Sequence, residues 1–479
     1  MASVPILDFA FLAFESEASP KHVAGLQIFD LPRDAPADYV DNLVASIKQV
    51  PPEHPFNQRL DSSYVRMPQW TDAEDFDVEE HVFLERVAAP GSLDALLERV
   101  AELHADRLDR DRPLWQLYFF EQIRPRGFAV YFKVHHAYMD GISLSKRALE
   151  VLTDAPSKLQ PGVFWGAPSK HHARTRRKIS DALFGTARKV GRAALVVPAL
   201  AKLGLKHTLR VMHVSGRELP VPFTAPRTVF NAPLTAARSV AVTDFSLARV
   251  HDVAQHAGVT VNDVLLELCD SAMTAYLEER GEQLEHPLVA QMPISLRHGD
   301  GGQGNQIAIA LLELGSDESN AIKRLQRIHA HAQDAKDEYV GMPEEAAEIY
   351  TLLLQSVAQF GETTGLGNLL PPLGNVVVSG VIGPAQQLYL GEAPLRATYP
   401  ISTIAPGLAL NITIFTYHKT LHVGLVAGKE ALPDLAPLVA YMHTALDDLE
   451  KIMGFRPVRK KPRARVRKQK KKARKKTRS

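Results

Sequence analysis

The chain has 479 residues and only one cysteine, Cys269. A single cysteine excludes a disulfide within the chain, which is typical of proteins that stay in a reducing compartment such as the cytoplasm. Neither a pair of cysteines nor a His-Glu-x-x-His pattern occurs, so the sequence predicts no metal site. No uncharged apolar run reaches the roughly 18–20 residues of a membrane-spanning helix. The N-terminal MASVPILDFAFLAFES lacks basic residues and does not resemble a signal peptide. We therefore expect a soluble or peripheral protein.

Charge of either sign is almost balanced, with a formal net charge of +2. The charges are nevertheless distributed unevenly along the chain, because residues 456–479 carry 15 Lys and Arg and no Asp or Glu. Without those 15 charges, the preceding 455 residues have a net charge of −13. Such a basic tail cannot build a core, and we predict that it is disordered. It can attract an anionic lipid surface or a nucleic acid, or it can simply increase solubility.

Strand-like and helix-like segments alternate along both halves of the chain, which predicts an α/β fold with mixed sheets in two domains. We place an N-terminal domain at 1–155, a linker or crossover at 156–225, a C-terminal domain at 226–455 and the tail at 456–479. The predicted strands are Val23–Phe29, Leu117–Gln122, Gly127–His136, Arg238–Phe245, Leu288–Met292, Gln306–Leu314, Asn375–Ser379, Leu408–Phe415 and Leu421–Ala427. The predicted helices are Asp94–Arg107, Ile142–Leu152, Leu247–Ala257, Thr260–Arg280 and Ala440–Ile452.

The crossover contains a basic segment, residues 170–195, in which apolar residues recur at roughly helical intervals. A basic amphipathic segment of this kind can lie on an anionic membrane surface. It can equally be a solvated crossover helix that packs on the protein's own surface. The pattern favours neither alternative.

The segment HHAYMDG, residues 135–141, places two histidines at the end of a predicted strand. Because side chains alternate along a strand, His135 and His136 should point to opposite faces, which argues against a shared metal. A single histidine there can act as a general base, since its ordinary pKa of about 6.5 leaves it mostly neutral at pH 7. A lone histidine is, however, more often structural. Asp140 can orient the imidazole or cap the next helix, and Gly141 can permit a tight turn.

HHAYMDG resembles the HHxxxDG signature of the coenzyme-A-dependent acyltransferase superfamily. Further segments are similar to bacterial wax ester synthase/diacylglycerol acyltransferases: PLW at 113–115 before the signature, TVNDVLL at 260–266, MPISLR at 292–297, and the opening LDFAFLAFES. The similarity extends from about Pro5 to Gly454. One segment departs from the family pattern, because SGVIGP at 379–384 stands where SNVPGP is common, and Gly380 replaces the asparagine.

The resemblance implies two chloramphenicol-acetyltransferase-like domains with an active-site channel between them. It implies that His136 is the catalytic base, that Asp140 holds the motif in shape and that His135 is structural. Substrate-binding residues are then expected at Pro113, Leu114, Trp115, Gly141, Asn262 and Asp263. Trp115 fits a role in shaping the channel or packing the core. Asn262 is also our candidate donor to the oxyanion, although its place near a helix start fits a plain N-cap equally well.

For such an enzyme the expected co-substrates are acyl-CoA and a long-chain alcohol or diacylglycerol, with no cofactor. The basic segments would then favour a membrane or lipid-inclusion surface in the cytoplasm over nucleic acid. Two other functions remain open. One is a condensation-type acyltransferase that uses carrier-bound acyl groups, which PLW and the Asn-Asp pair disfavour. The other is a non-catalytic protein that binds lipid droplets or nucleic acid, which the intact His136, Asp140 and Gly141 disfavour.

Overall fold

The computed structural model describes residues 2–3, 6–61, 68–158, 161–166, 220–295, 307–340, 342–365, 367 and 370–455. Two six-stranded sheets form most of the framework, and a three-stranded sheet lies beside them. The small sheet contains, in spatial order, β1 (Ala2–Ser3), β4 (Gln69–Asp72) and β3 (Gln58–Asp61). Helices and mixed sheets therefore combine as the predicted α/β fold class requires.

The first six-stranded sheet supports the HHAYMDG segment. Helices cover both of its faces, so all nine residues of its strand β7 are buried. Continuous burial explains why GFAVYFKVH is aromatic or β-branched along most of its length instead of alternating with polar residues. The spatial order of the strands is β12 (Tyr389–Leu390), β13 (Ala393–Ile401), β2 (His22–Asp30), β7 (Gly127–His135), β6 (Trp115–Ile123) and β5 (Val82–Arg86). The covering helices are α2 (Tyr39–Lys48) and α4 (Gly141–Glu150) on one face and α3 (Leu93–Ala105) on the other.

The second six-stranded sheet packs one face against four helices around a single apolar core. Its strands, in spatial order, are β10 (Ile307–Glu313), β9 (Val289–Ser295), β11 (Val376–Ile382), β14 (Leu410–Tyr417), β15 (Thr420–Gly428) and β8 (Arg238–Ser246). The four helices are α5 (Leu247–Ala257), α6 (Val261–Glu279), α7 (Ala321–Asp337) and α9 (Ala436–Ile452). A further helix, α8 (Glu344–Thr364), contacts β10.

Two strands from the C-terminal half, β12 and β13, belong to the first sheet. β13 pairs with β2 in antiparallel orientation, with Tyr399 opposite Leu26. Val377 and Val426 of the second sheet join the same apolar cluster as Leu26. The two halves of the chain therefore share a core, and the predicted range 226–455 does not coincide with the second sheet alone.

The two sheets approach each other closely at Gly424. A Cβ atom built at this glycine would lie 1.8 Å from the carbonyl oxygen of Pro400 in β13. No side chain fits in that space. Gly424 is therefore the residue that lets the strand β15 of the second sheet lie against the first sheet.

The predicted elements all have counterparts, and most differences are a few residues at their ends. The helix at Leu247–Ala257 is confirmed at both ends, and Thr260–Arg280 corresponds to α6. The sequence did not predict α2, α7, α8, β13 or the N-terminal helix α1 (Ile6–Phe14).

Several predictions lie outside the described residues. They concern the basic segment at 170–195, the tail at 456–479, and part of MPISLR. Within the described ranges, none of the helices combines the length and the apolar character needed to cross a bilayer.

Replacing Gly424 by alanine tests the contact between the sheets. Because the new methyl group would overlap a backbone carbonyl, we expect Gly424→Ala to lower the free energy of unfolding by about 3 kcal/mol or more. Gly380→Ala is the matched control, since a Cβ there would make only an ordinary contact at 3.5 Å. Urea unfolding measures both variants. A Gly424→Ala protein as stable as the control would show that the sheets do not need this close approach.

Candidate active site

His135 and His136 lie where β7 ends, and main-chain hydrogen bonds hold both residues. The His135 N–H donates to the Leu114 carbonyl at 2.9 Å, and the His136 N–H donates to the Lys21 carbonyl at 2.8 Å. Because β7 ends at His135, strand alternation does not decide the directions of the two rings. Their contacts with other groups do.

The imidazole of His135 is completely buried. Its Nδ1 accepts a hydrogen bond from the Ala137 N–H at 3.1 Å, so the ring proton lies on Nε2. Nε2 is 3.4 Å from Oε1 of Glu15. These contacts support the structural role that the resemblance implies for His135.

Glu15 follows α1, and its side chain contacts several segments next to the histidine pair. Its side chain is 1% exposed and accepts hydrogen bonds from Nη2 of Arg110 at 2.9 Å and from the Lys21 N–H at 3.2 Å. Burial acts to raise the pKa of this carboxyl, but the contacts with His135, Arg110 and Lys21 outweigh burial and lower the pKa to about 2. Glu15 is therefore a buried anion that fixes both the His135 ring and the segment bonded to His136.

The imidazole of His136 is 9% exposed and stacks on Phe11 of α1, with ring centroids 3.9 Å apart and ring planes at 12°. Burial is the largest influence on its pKa and lowers it, and the electrostatic influences of His135 and Lys21 act in the same direction. Asp140 acts in the opposite direction, and the resulting pKa is about 4. The ring is therefore neutral at pH 7 and has a lone pair that can accept a proton.

Lys21 contributes a buried positive charge close to His136. Its Nζ donates to Ser19 Oγ at 2.6 Å. Burial lowers the pKa of this amine to about 8, although the nearby Glu362 and Glu15 act to raise it. The amine therefore remains largely charged at pH 7, which adds to the electrostatic cost of protonating His136.

Asp140 is the N-cap residue of α4. Its Oδ1 accepts a hydrogen bond from the Ser143 N–H at 2.8 Å, and its Oδ2 accepts one from Ser143 Oγ at 2.9 Å. Of the two roles that the sequence left open, capping is the one these contacts establish. The carboxylate also places negative charge near His136. A role in orienting the imidazole stays a prediction.

The prediction that Gly141 permits a tight turn is wrong. Gly141 begins α4 and does not adopt a positive φ angle. A Cβ there would meet Val23 Cγ1 at an ordinary 3.8 Å. Any contribution of Gly141 to substrate binding would therefore come from the absence of a side chain at this position.

The PLW segment packs the core of the first sheet. Leu114 and Trp115 have no exposed surface, and Pro113 is also buried. The Trp115 Nε1–H donates to the Phe56 carbonyl at 2.9 Å, and the indole stacks on Trp165 with centroids 5.0 Å apart. These side chains therefore pack the core, and their predicted part in substrate binding stays a prediction.

Asp263 lies in the first turn of α6 and contacts other residues of the protein. It is completely buried and accepts hydrogen bonds from the Thr260 N–H at 2.8 Å and from His329 Nδ1 at 2.6 Å. Thr260 caps α6 in return, through its hydroxyl and the Asp263 N–H. Asp263 therefore holds the start of this helix, and its predicted part in substrate binding stays a prediction.

Asn262 is not the N-cap of α6, since Thr260 occupies that position. The Asn262 amide has a long contact with Met292 Sδ at 3.9 Å, and its Oδ1 lies 3.5 Å from the position of a Cβ at Gly380. The departure from the family pattern at SGVIGP is thus adjacent to the Asn-Asp pair. These contacts of Asn262 lie within the second sheet and its helices, and none of them joins it to His136.

A cleft runs between α4 and the junction of β2 with β13. It encloses about 270 Å³, part of it open to solvent. His136 is not among its lining residues, and the predicted channel between domains stays a prediction. The lining includes Gly25, Phe132, Ser145, Ala148, Thr398 and Phe415.

The described residues contain no cluster of three or more His, Cys, Asp or Glu side chains that could hold a metal ion. Cys269 has no exposed surface, and burial raises the pKa of its thiol. Cys269 is therefore a packing residue of the second sheet's core.

The sequence did not single out Phe11, Glu15 or Lys21 as site residues. All three lie at or after α1, which was not predicted as a helix. The one available signal is Glu15, an acid directly after the apolar run FAFLAF. An acid in that position suggests a buried partner, but only the fold shows that the partners are His135 and Arg110.

Replacing Asp140 separates its capping role from its charge. Asp140→Asn keeps an oxygen for the Ser143 N–H, whereas Asp140→Ala removes both acceptors. We expect the alanine variant to lose about 1 kcal/mol of the free energy of unfolding and the asparagine variant a few tenths. Urea unfolding at pH 7 measures both. Equal losses would show that the charge, and not the cap, stabilises the fold here.

Phe11→Ala tests whether burial sets the pKa of His136. Without the phenyl ring, water reaches one face of the imidazole, so its pKa should rise from about 4 toward the ordinary 6.5. NMR titration of the histidine Cε1–H signals measures the change, with His136→Gln for assignment. Phe83→Ala, at a half-buried ring on β5, is the control and should leave the titration unchanged. No shift in Phe11→Ala would mean that neighbouring charges set the value.

Two family models match the chain. The wax ester synthase/diacylglycerol acyltransferase catalytic domain matches residues 5–265, and the WS/DGAT C-terminal domain matches residues 303–450. A Mycobacterium tuberculosis protein, Tgs2, named as a probable diacylglycerol O-acyltransferase, is 33% identical over 455 residues, which cover 94% of this chain and 98% of that protein. The O-acyltransferase WSD of Acinetobacter baylyi is 31% identical over 458 residues, which cover 94% of this chain and 97% of that protein.

Solved structures agree with these matches. The wax ester synthase/diacylglycerol acyltransferase of Marinobacter aquaeolei VT8 superposes with a TM-score of 0.75 at 30% identity, covering 95% of this chain and all 100% of that one. A condensation domain of the calcium-dependent antibiotic synthetase has a TM-score of 0.57 at 14% identity over 94% of this chain and 96% of that one, a likeness of fold alone. The chain is therefore an O-acyltransferase that belongs to the wax ester synthase/diacylglycerol acyltransferase family.

Proposed function

We propose that this acyltransferase moves a fatty acyl group from acyl-CoA to the hydroxyl of a long-chain alcohol, of a diacylglycerol, or of both. The products would be wax esters and triacylglycerols, with free coenzyme A released. The names of the matching relatives support both classes of acceptor. Acyl-CoA is the co-substrate in this proposal, and no cofactor or metal ion takes part.

The observation that carries the proposal is the neutral imidazole of His136 in a nearly water-free setting. As the acceptor oxygen attacks the thioester carbonyl, His136 takes the hydroxyl proton. The tetrahedral intermediate then collapses, the carbon–sulfur bond breaks, and the imidazolium returns the proton to the departing thiolate. General-base catalysis of this kind contributes roughly 10²–10⁴-fold to a rate.

The charges around His136 fit such a cycle. Burial and Lys21 keep the ring neutral before reaction, so nearly every molecule has the base in its active form at pH 7. Asp140 stabilises the imidazolium that exists only during the reaction, because its negative charge raises the pKa of His136. Glu15 and His135 hold the backbone that presents the ring, and they act as positioning residues in this mechanism.

Asn262 is the residue that we propose as donor to the oxyanion. Its amide makes one long contact, with Met292 Sδ, so a second N–H remains available for a substrate oxygen. The open position at Gly380, beside Asn262 Oδ1, would leave room for the acceptor on this side. For this to operate, substrate binding must bring Asn262 and His136 to the same reacting carbonyl.

We further infer that the enzyme works in the cytoplasm at a membrane or lipid-inclusion surface. Its proposed substrates are apolar, and residues 456–479 carry 15 basic side chains. Each Lys or Arg near an anionic membrane contributes about 1 kcal/mol to binding. The basic segment at 170–195 can act in the same way, and nucleic acid is the less favoured partner for an enzyme of this class.

The base assignment is tested with His136→Ala. Because the variant has no group to accept the hydroxyl proton, we expect ester formation from palmitoyl-CoA and hexadecanol to fall by about 10²–10⁴-fold. Dioleoylglycerol as acceptor should give the same loss. His251→Ala, at an exposed histidine on α5, is the matched control and should keep the wild-type rate. If a normally folded His136→Ala protein kept more than a tenth of the activity, His136 would not be the base.

A further inference from the structure

Exposed apolar side chains are concentrated in one part of the chain. Nine large apolar residues are exposed among the described residues, and six of them lie between 340 and 370. Four of the six are on α8: Ile349, Leu353, Val357 and Phe360, which are 39%, 54%, 43% and 62% exposed. We call these four residues the α8 stripe.

The α8 stripe lies on one face of its helix. Its members are spaced by four, four and three residues, which is the repeat of an α-helix. The side chains of Ala346, Ala347, Leu354 and Gln359 are buried against the protein. A surface helix normally exposes polar residues to water, whereas the outer face of α8 exposes apolar residues. Such a face indicates a contact with something other than water.

The size of the stripe argues against a protein partner. Its four members span about 17 Å of helix and expose on the order of 300 Å². A stable interface between two protein chains buries roughly 800 Å² on each partner. A lipid surface has no such minimum, because each apolar side chain that enters it gains free energy separately.

The charge of α8 indicates which kind of lipid. The helix carries four glutamates, at 344, 345, 348 and 362, and no Lys or Arg. The net negative charge of the helix would repel anionic headgroups but not an electrically neutral lipid surface. The stripe therefore fits a neutral lipid phase, and the basic tail at 456–479 is suited to anionic lipid instead.

The C-terminal end of α8 lies near the candidate active site. α8 contacts α1, which carries the Phe11 ring that stacks on His136. Glu362 accepts a hydrogen bond from the Gly407 N–H at 3.1 Å and interacts electrostatically with Lys21. A lipid phase that touched the α8 stripe would thus lie beside the helix that covers the base.

We propose that the α8 stripe docks the enzyme on the surface of a neutral lipid phase, from which the acceptor reaches the site past α1. This inference rests on the proposed function, because it assumes an acceptor that partitions into lipid. It assigns the docking to α8 and separates that contact from the charge-dependent contact of the basic segments.

Flotation of the full-length protein with triolein droplets coated with phosphatidylcholine tests the docking. The measurement is made in 0.5 M NaCl, because salt screens any contribution of the basic tail. We expect the double variant Leu353→Gln/Phe360→Gln to bind at least tenfold more weakly than the wild type. Ile452→Gln, at an apolar residue of α9 that is 55% exposed, is the matched control and should bind like the wild type.

Activity separates this inference from the proposed function. With palmitoyl-CoA and water-soluble hexanol, the double variant should keep the wild-type rate, whereas its rate on droplet-borne dioleoylglycerol should fall about tenfold. A wild type that forms no ester with either acceptor would overturn the proposed function, while flotation would still decide the docking. Unchanged flotation of the double variant would overturn the docking, whatever the activity.

Two further outcomes would assign the α8 stripe to another partner and overturn the inference. If the wild type is a dimer in sedimentation and the double variant is a monomer, the stripe joins two copies of the chain. If the double variant unfolds at a clearly lower urea concentration than Ile452→Gln, the stripe is covered by another segment of the same chain. Docking on lipid requires equal unfolding midpoints and equal oligomeric states.

Discussion

The pairing of β13 with β2 is the constraint on which the rest of the structure depends. It places a strand of the C-terminal half inside the sheet whose neighbouring strand β7 leads to His136. Gly424 then allows the second sheet to lie directly against β13. Without this pairing, the helix that carries Asn262 would have no fixed position relative to His136. A two-substrate reaction needs such a fixed relation, because orientation of the reacting groups supplies much of the rate.

Burial has opposite effects on different groups near the site. It lowers the pKa of His136 to about 4 and keeps this imidazole neutral, while Glu15 stays ionised because three partners outweigh burial. The pair Glu15 and His135 therefore serves as a rigid, charged support under a neutral ring. Asp140 combines two tasks, since one carboxylate caps α4 and also stabilises positive charge on His136.

Much of the fold could be predicted from sequence, because the local pattern of residues determines many of its helices and strands. Segments such as Gly127–His135 and Leu247–Ala257 have a periodicity or a composition that allows only one element. β13 was missed because Pro394 and Pro400 interrupt its pattern, and its partner β2 is distant in sequence. α8 was missed because its apolar residues occur on both its inner and its outer face.

The sequence by itself determined the family and the α/β class, because a short motif and the order of several segments are enough for these, and the same motif singled out His136 as the predicted base. Only the tertiary structure decided that Trp115 and Asp263 are buried, that Phe11 stacks on His136, and that Glu15 contacts His135. The physical reason is that burial and pairing are relations between segments far apart in the chain. A residue type states which contacts are available to it, and the fold selects the ones that it makes.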